Sequence, residues 1–223
     1  MSIRVKRSDS ETVLYVVRHG ETEYNRRRIV QGRKIDASLN EAGRGQAAAL
    51  ARRFAGERLD VIYSSTLRRA RETADAVAAN HPGVPVHRLR DLEEMSWGDY
   101  EGRPFDERVL AMYEKMEALW QSGDFSRPVT GGESIAEVQA RGRKALDHIL
   151  ARHRGETVLV VAHGRFIRVL LASILPGYGL ERMREIKHAN TGVNRVRFGD
   201  GPPVADLLNC TAHLEVAEAA MTG

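Results

Sequence analysis

The sequence is poor in cysteine: Cys210 stands alone, so no intrachain disulfide can form and a reducing compartment suits the chain. It also lacks any apolar run approaching the roughly 20 residues that a membrane helix requires. The N-terminal stretch MSIRVKRSDSE is basic but has no apolar centre, which argues against a secretory leader. These absences point to a cytoplasmic protein without membrane contact. Neither charge dominates, since 34 basic against 30 acidic side chains leave a net charge of +4. The densest basic run, Arg26-Arg27-Arg28, has only Tyr24 for aromatic company, too little for a nucleic-acid groove. It reads instead as a rim that draws in an anionic small molecule. Repeats, low-complexity tracts and long linkers are missing too, which favours one domain over the 223 residues.

Several catalytic signatures are absent as well. There is no H-E-x-x-H, no cysteine pair and no Asp-rich loop, so no metal site is expected. The G-x-x-x-x-G-K-[ST] phosphate loop and the G-x-S-x-G elbow are missing, which sets aside P-loop nucleotide hydrolysis and serine hydrolysis.

What is present is an alternation of short apolar runs and helical patterns, the signature of an α/β fold with a mostly parallel sheet. Strands are predicted at 12–17, 60–63, 84–89, 157–162, 193–198 and 204–208. The first and fourth are continuously apolar, as central strands covered on both faces should be. Helices are predicted at 40–56, 66–80, 104–122, 133–153 and 165–175, with Asn40 capping the first. The stretch 99–132 interrupts the rhythm. Its helix carries Leu110, Tyr113, Met116, Leu119 and Trp120, read as a stripe on the core, as an excursion that shapes a pocket, or as both.

In parallel sheets, ligands bind beyond the carboxyl ends of the strands. The first strand ends in Arg18-His19-Gly20 and the fourth in Ala162-His163-Gly164. The second ends in SSTLRR, with Arg68 and Arg69 entering a helix, and Glu93-Glu94 follow the third. Arginines beside histidines suit a phosphoryl group, because guanidinium forks match its oxygens and stay charged. A neutral imidazole can attack phosphorus if its other nitrogen is held by an acceptor. A carboxyl group can then protonate the departing oxygen and later activate water. A glycine after each histidine leaves room for a ligand near the backbone.

The ordered motifs RHGETEYN, SSTLRRARETA, LEEMSWGDYEG, GGES and VVAHG resemble the histidine phosphatase superfamily, the phosphoglycerate-mutase-like fold, from about Val13 to His213. The resemblance implies a three-layer α/β sandwich around a mostly parallel sheet, and a phosphohistidine formed without a metal or other cofactor. It assigns His19 as nucleophile, Arg18 as its phosphate-binding neighbour, and His163 and Arg69 as further phosphoryl ligands. Arg69 is preferred to Arg68 because Ala70 and Thr73 fix the register. Glu94 takes the proton donor's place, with Glu93 one residue of slippage away. Asn25, Gln31 and Gly164 are assigned to substrate binding, although Arg28 and Gln31 read equally as a surface loop. Asn190 reads first as a turn or cap. The expected partner is a small phosphorylated substrate, with sugar phosphates, phosphoglycerates, nucleotide-loop precursors and phosphopeptides all open. Oligomeric state, homo-oligomer included, is also open. The run from Trp97 to Pro104 is closer to the phosphatases than to the mutases. A cofactor-dependent phosphoglycerate mutase is the alternative, and a phosphoryl-binding module without turnover is a second.

Overall fold

The computed structural model describes residues 11–215, so the basic N-terminal stretch lies outside the described residues except for Glu11. In chain order the elements are β1 (Thr12–Arg18), α1 (Glu23–Arg26), α2 (Glu41–Phe54), β2 (Val61–Ser65), α3 (Arg68–Ala78) and β3 (Val86–Leu89). There follow α4 (Glu107–Gln121), α5 (Ile135–Arg152), β4 (Thr157–Ala162), α6 (Gly164–Ile174), β5 (Val193–Phe198) and β6 (Val204–Cys210). Each predicted strand and helix forms, with ends shifted by a few residues. The single turn α1 was not predicted. It exists because Thr22 and Asn25 form a reciprocal capping box, which satisfies backbone donors that so short a helix leaves free.

The six strands lie in the order β3-β2-β4-β1-β5-β6. β3, β2, β4 and β1 run parallel, while β5 and β6 are antiparallel additions beyond β1. The alternation of side chains along β1 splits the core in two. Val13, Tyr15 and Val17 pack with Leu50 and Phe54 of α2 and Ala70 and Val77 of α3. Leu14 and Val16 pack on the other face with Ile149 of α5 and Phe166 and Leu170 of α6. Fully burying each such large apolar side chain contributes about 1.5–3 kcal/mol. Helices therefore cover both faces of a mostly parallel sheet, the three-layer α/β arrangement expected.

The stripe predicted on α4 is rotated. Val109, Met112, Met116 and Trp120 are the residues buried, at helical spacing, whereas Leu110 is 45% exposed. Tyr113 and Leu119 only flank that core. The sequence offers apolar residues on more than one face here, so periodicity alone could not choose the packed one.

The chain leaves β1 for β2 on one side and leaves β4 for β5 on the other. Neighbouring strands whose connections part in this way open a crevice at their carboxyl ends. No helix among the described residues is long and apolar enough to cross a membrane.

Candidate active site

Register creates the site. β1 and β4 pair in parallel with Arg18 opposite Ala162, and the His19 N–H donates to the Ala162 carbonyl at 3.0 Å. The residue after each pair is a histidine, so the imidazoles of His19 and His163 meet, with ring centroids 5.1 Å apart. β2 lies on the far side of β4, and Ser65 at its end brings Oγ within 2.8 Å of His163 Nε2. Arg69 follows within the first turn of α3, whose uncapped start receives Asp36 Oδ1 on the Arg68 N–H at 2.5 Å. Arg68 itself points to solvent and pairs with Glu72, as a solvated helix residue should.

A cavity of about 370 Å³ opens above these strand ends. Arg18, His19, Asn25, Gln31, Glu94 and Gly164 line its inner end. Arg69 and His163 lie behind that wall, 1% and 0% exposed. His19 Nδ1 donates to the Gly20 carbonyl at 2.6 Å, and because that carbonyl only accepts, Nε2 carries the lone pair. Burial holds His19 well below the usual imidazole pKa, helped by the charges of Arg69 and Arg18. Burial does the same for His163, with Arg69 the next influence. Both imidazoles are thus neutral at pH 7. At this site Arg18 Nε, Arg69 Nε, Gln31 Nε2 and His163 Nδ1 are buried without a hydrogen-bond partner, four of seven such side-chain atoms among the described residues. Four unmatched polar atoms around one crevice are costly in a finished core, and they suit a multivalent anion. No group of three or more His, Cys, Asp or Glu among the described residues is placed to hold a metal ion.

The two adjacent carboxylates part company. Glu93 turns to Arg33 at 2.8 Å and to the Thr66 hydroxyl, and it does not line the cavity. Glu94 faces the cavity and binds the first turn of α6. Oε1 accepts from the Met95 and Phe166 N–H groups at 2.8 and 3.0 Å, and Oε2 accepts from the Arg165 N–H at 3.1 Å. A carboxylate at a helix N-terminus is favoured by the orphan donors there, and His163 supplies no side-chain cap of its own. The loop is held from behind by Arg141, which donates to the carbonyls of Asp91, Glu93 and Glu94 and pairs with Glu133.

The glycines that follow the histidines make room mainly for protein. A Cβ at Gly20 would sit 2.6 Å from the Gly43 carbonyl oxygen of α2. One at Gly164 would sit 2.4 Å from the His188 ring, although Gly164 also touches the cavity. The expectation that both serve a close ligand approach is corrected to that extent.

The stretch before β5 supplies further residues, Asn190 among them in the site role that its reading as a cap ranked second. Asn190 donates to the His19 carbonyl at 3.0 Å and to Asn25 Oδ1 at 3.4 Å, bracing two site residues at once. The His188 carbonyl accepts from Arg18 at 2.7 Å. Both arrive because β5 runs antiparallel to β1, so the loop before it starts where β1 ends. At the outer end, Trp97, Phe105, Tyr113, Glu117, Arg165, Arg168 and His188 line the cavity, with Glu117 paired to Arg165. Arg28, in contrast, is exposed and does not line this cavity.

The model of the histidine phosphatase superfamily (branch 1) matches residues 14–211. The chain is 39% identical over 201 residues to phosphoglycerate mutase-like protein 4 of Arabidopsis thaliana, covering 87% of this chain and 85% of that one. It is 33% identical over 211 residues to the metal-independent phosphoserine phosphatase of the same plant, covering 94% of this chain and 86% of the relative. The solved structure of YhfR from Bacillus stearothermophilus superposes with a TM-score of 0.81 at 33% identity, covering 91% of this chain and 99% of that one.

Proposed function

The chain belongs to the histidine phosphatase superfamily and is a phosphatase, and from that premise we propose that it hydrolyses phosphomonoesters of small metabolites in two steps through His19, without a metal. In the first step His19 Nε2 attacks phosphorus and the bond to the ester oxygen breaks. Glu94 delivers its proton to the departing oxygen. Oε2, which accepts a single N–H, is the oxygen free to carry that proton. In the second step water attacks the phosphohistidine and gives its proton to Glu94. The P–N bond then breaks, releasing phosphate and restoring neutral His19.

Arg18, Arg69, Asn25, Gln31 and His163 hold the non-bridging oxygens in this reading. Charge-assisted donors fixed before the reaction stabilise charge that develops in the transition state, which is the largest contribution expected here. The observation that carries the proposal is a neutral His19 whose Nε2 is free beside the guanidinium groups of Arg18 and buried Arg69. The same reading takes 1–223 as one phosphatase domain whose segment 99–132 bounds the outer pocket. It places that domain in a reducing, cytoplasmic setting.

The test is phosphate release from a panel of phosphomonoesters, with and without chelator, for the parent and His19→Ala. Chelator-resistant release that falls by about four orders of magnitude in the variant is expected. Release that survives in His19→Ala, or that stops with chelator, overturns the proposal. Transfer of phosphate between 3-phosphoglycerate and 2-phosphoglycerate in preference to its release would instead make the enzyme a mutase.

A further inference from the structure

Buried Arg69 is held by backbone rather than by a carboxylate. Its Nη1 donates to the Ile35 carbonyl at 2.7 Å and its Nη2 to the Gly32 carbonyl at 3.2 Å. A guanidinium has five N–H donors, so these two bonds leave Nε and one hydrogen on each terminal nitrogen. Nε is buried without a partner. The direction of that free edge is therefore set by where residues 32–35 sit. These residues belong to no helix or strand, so other contacts must place them.

Arg33 ties the loop outward, to Glu93 at 2.8 Å and Glu133 at 3.1 Å. The backbone between the two gripped carbonyls is held by Glu101. Its Oε2 accepts from the Lys34 N–H at 2.8 Å, across 67 positions of sequence. Its Oε1 accepts from the Trp97 N–H at 3.0 Å and the Ser96 hydroxyl at 3.2 Å, both in the loop that follows Glu94. Gly32 permits this approach, because a Cβ there would lie 2.5 Å from both Cδ and Oε1 of Glu101. Gly32 is not in the left-handed region, so space rather than backbone conformation calls for glycine. Burial pushes Arg69 down to about 10, and Glu101 is among the carboxylates, after Glu94 and Asp36, that oppose the shift.

We propose that Glu101 is a positioning residue: it fixes Arg69 for the phosphoryl group and ties the loop that grips this arginine to the loop that bears the acid. The inference rests on the phosphatase reading for what Arg69 binds, and on geometry alone for how Arg69 is held. One carboxylate bridges the two loops, so a phosphoryl ligand and the proton donor keep a set separation. Such precision matters, because a misplacement of about 1 Å can cost a hundredfold in rate.

The test is calorimetric binding of inorganic phosphate across a double-variant cycle of Glu101→Gln and Arg69→Gln. Glutamine keeps the volume of Glu101 but offers one acceptor oxygen where the two loops use two. In the parent, Glu101→Gln should weaken phosphate about tenfold, the scale of one charge-assisted contact. In the Arg69→Gln background it should weaken phosphate by less than about twofold, because the contact it orients is already gone. Gly32→Ala presses on the same carboxylate from the other loop and should weaken phosphate to a similar extent. In Glu101→Ala, which clears that space, Gly32→Ala should cost nothing more. Equal losses in both backgrounds, or an affinity unmoved by Glu101→Gln or by Arg69→Gln, overturn the positioning role. If the parent hydrolyses esters all the same, the phosphatase reading stands. Coupling of the expected kind in a parent that hydrolyses no ester overturns the phosphatase reading and supports the positioning role.

Discussion

The two ends of the cavity are built by different means. The inner end is made by strand register: paired β1 and β4 set His19 beside His163, and both imidazoles are buried and neutral, His19 held by the Gly20 carbonyl and His163 by the Ser65 hydroxyl. The outer end is made by side chains of α4, α6 and their flanking loops, buried to half-buried and mixed in charge and aromatic character. A misplaced strand would disturb every inner group together, whereas the outer residues come from separate turns of α4 and α6 and from loops. Rate should therefore depend on the inner end and choice of substrate on the outer.

Three experiments bear on that division. Arg69→Gln should lower kcat by about 10²–10³, the cost of losing one preorganised charged donor, with little change in which ester is preferred. A comparable loss confined to KM would assign Arg69 to ground-state binding and blur the contrast.

Stability against pH reports the inner end by another route. The folded pKa values of His19 and His163 are held below the unfolded value of about 6.5, so below that pH the unfolded chain binds more protons than the folded one. Their contribution is complete above the unfolded pKa and is lost as pH falls, at up to about 1.4 kcal/mol per pH unit for each imidazole. His188, pushed down to about 2 by burial and by Arg18, adds in the same direction. Urea unfolding at pH 7.5 and 5.5 should show the acidic sample clearly less stable. Equal stability would mean that the imidazoles are not buried as described.

The smallest effect belongs to the outer wall. Tyr113→Leu should change KM by roughly threefold and leave kcat nearly unchanged, since it alters only apolar contact with the leaving group. A kcat loss approaching that of Arg69→Gln would erase the distinction between the two ends.

The same division explains what could be read from the residues alone. Strands and helices were legible because their periodicities differ, and Arg18, His19 and His163 were legible because they stand where apolar runs stop. Glu94 could be separated from Glu93 only by a pattern, and placement gives the physical reason: Glu93 is drawn to Arg33, while Glu94 is drawn to the free donors of α6. Glu117, Arg165 and Arg168 had no such signal, and Asn190 read first as a cap. Their neighbours come from elements far apart in sequence, as with the Asn190–Asn25 contact across 165 positions. Leu110 failed for a related reason, because only the packed partner tells which face of α4 turns inward.

Glu94 also joins two tasks that could have been separate. By gripping the opening turn of α6, it fastens the acid to the helix that bears Arg165 and Arg168. Lengthening the 94–97 loop would drag proton delivery and leaving-group selection out of alignment together. Glu117 of α4 is itself paired with Arg165 of that helix, so a lineage adapting this scaffold to a new ester has freedom to vary Phe105 and Tyr113 while the acid, its helix and Glu117 stay as a single inherited part.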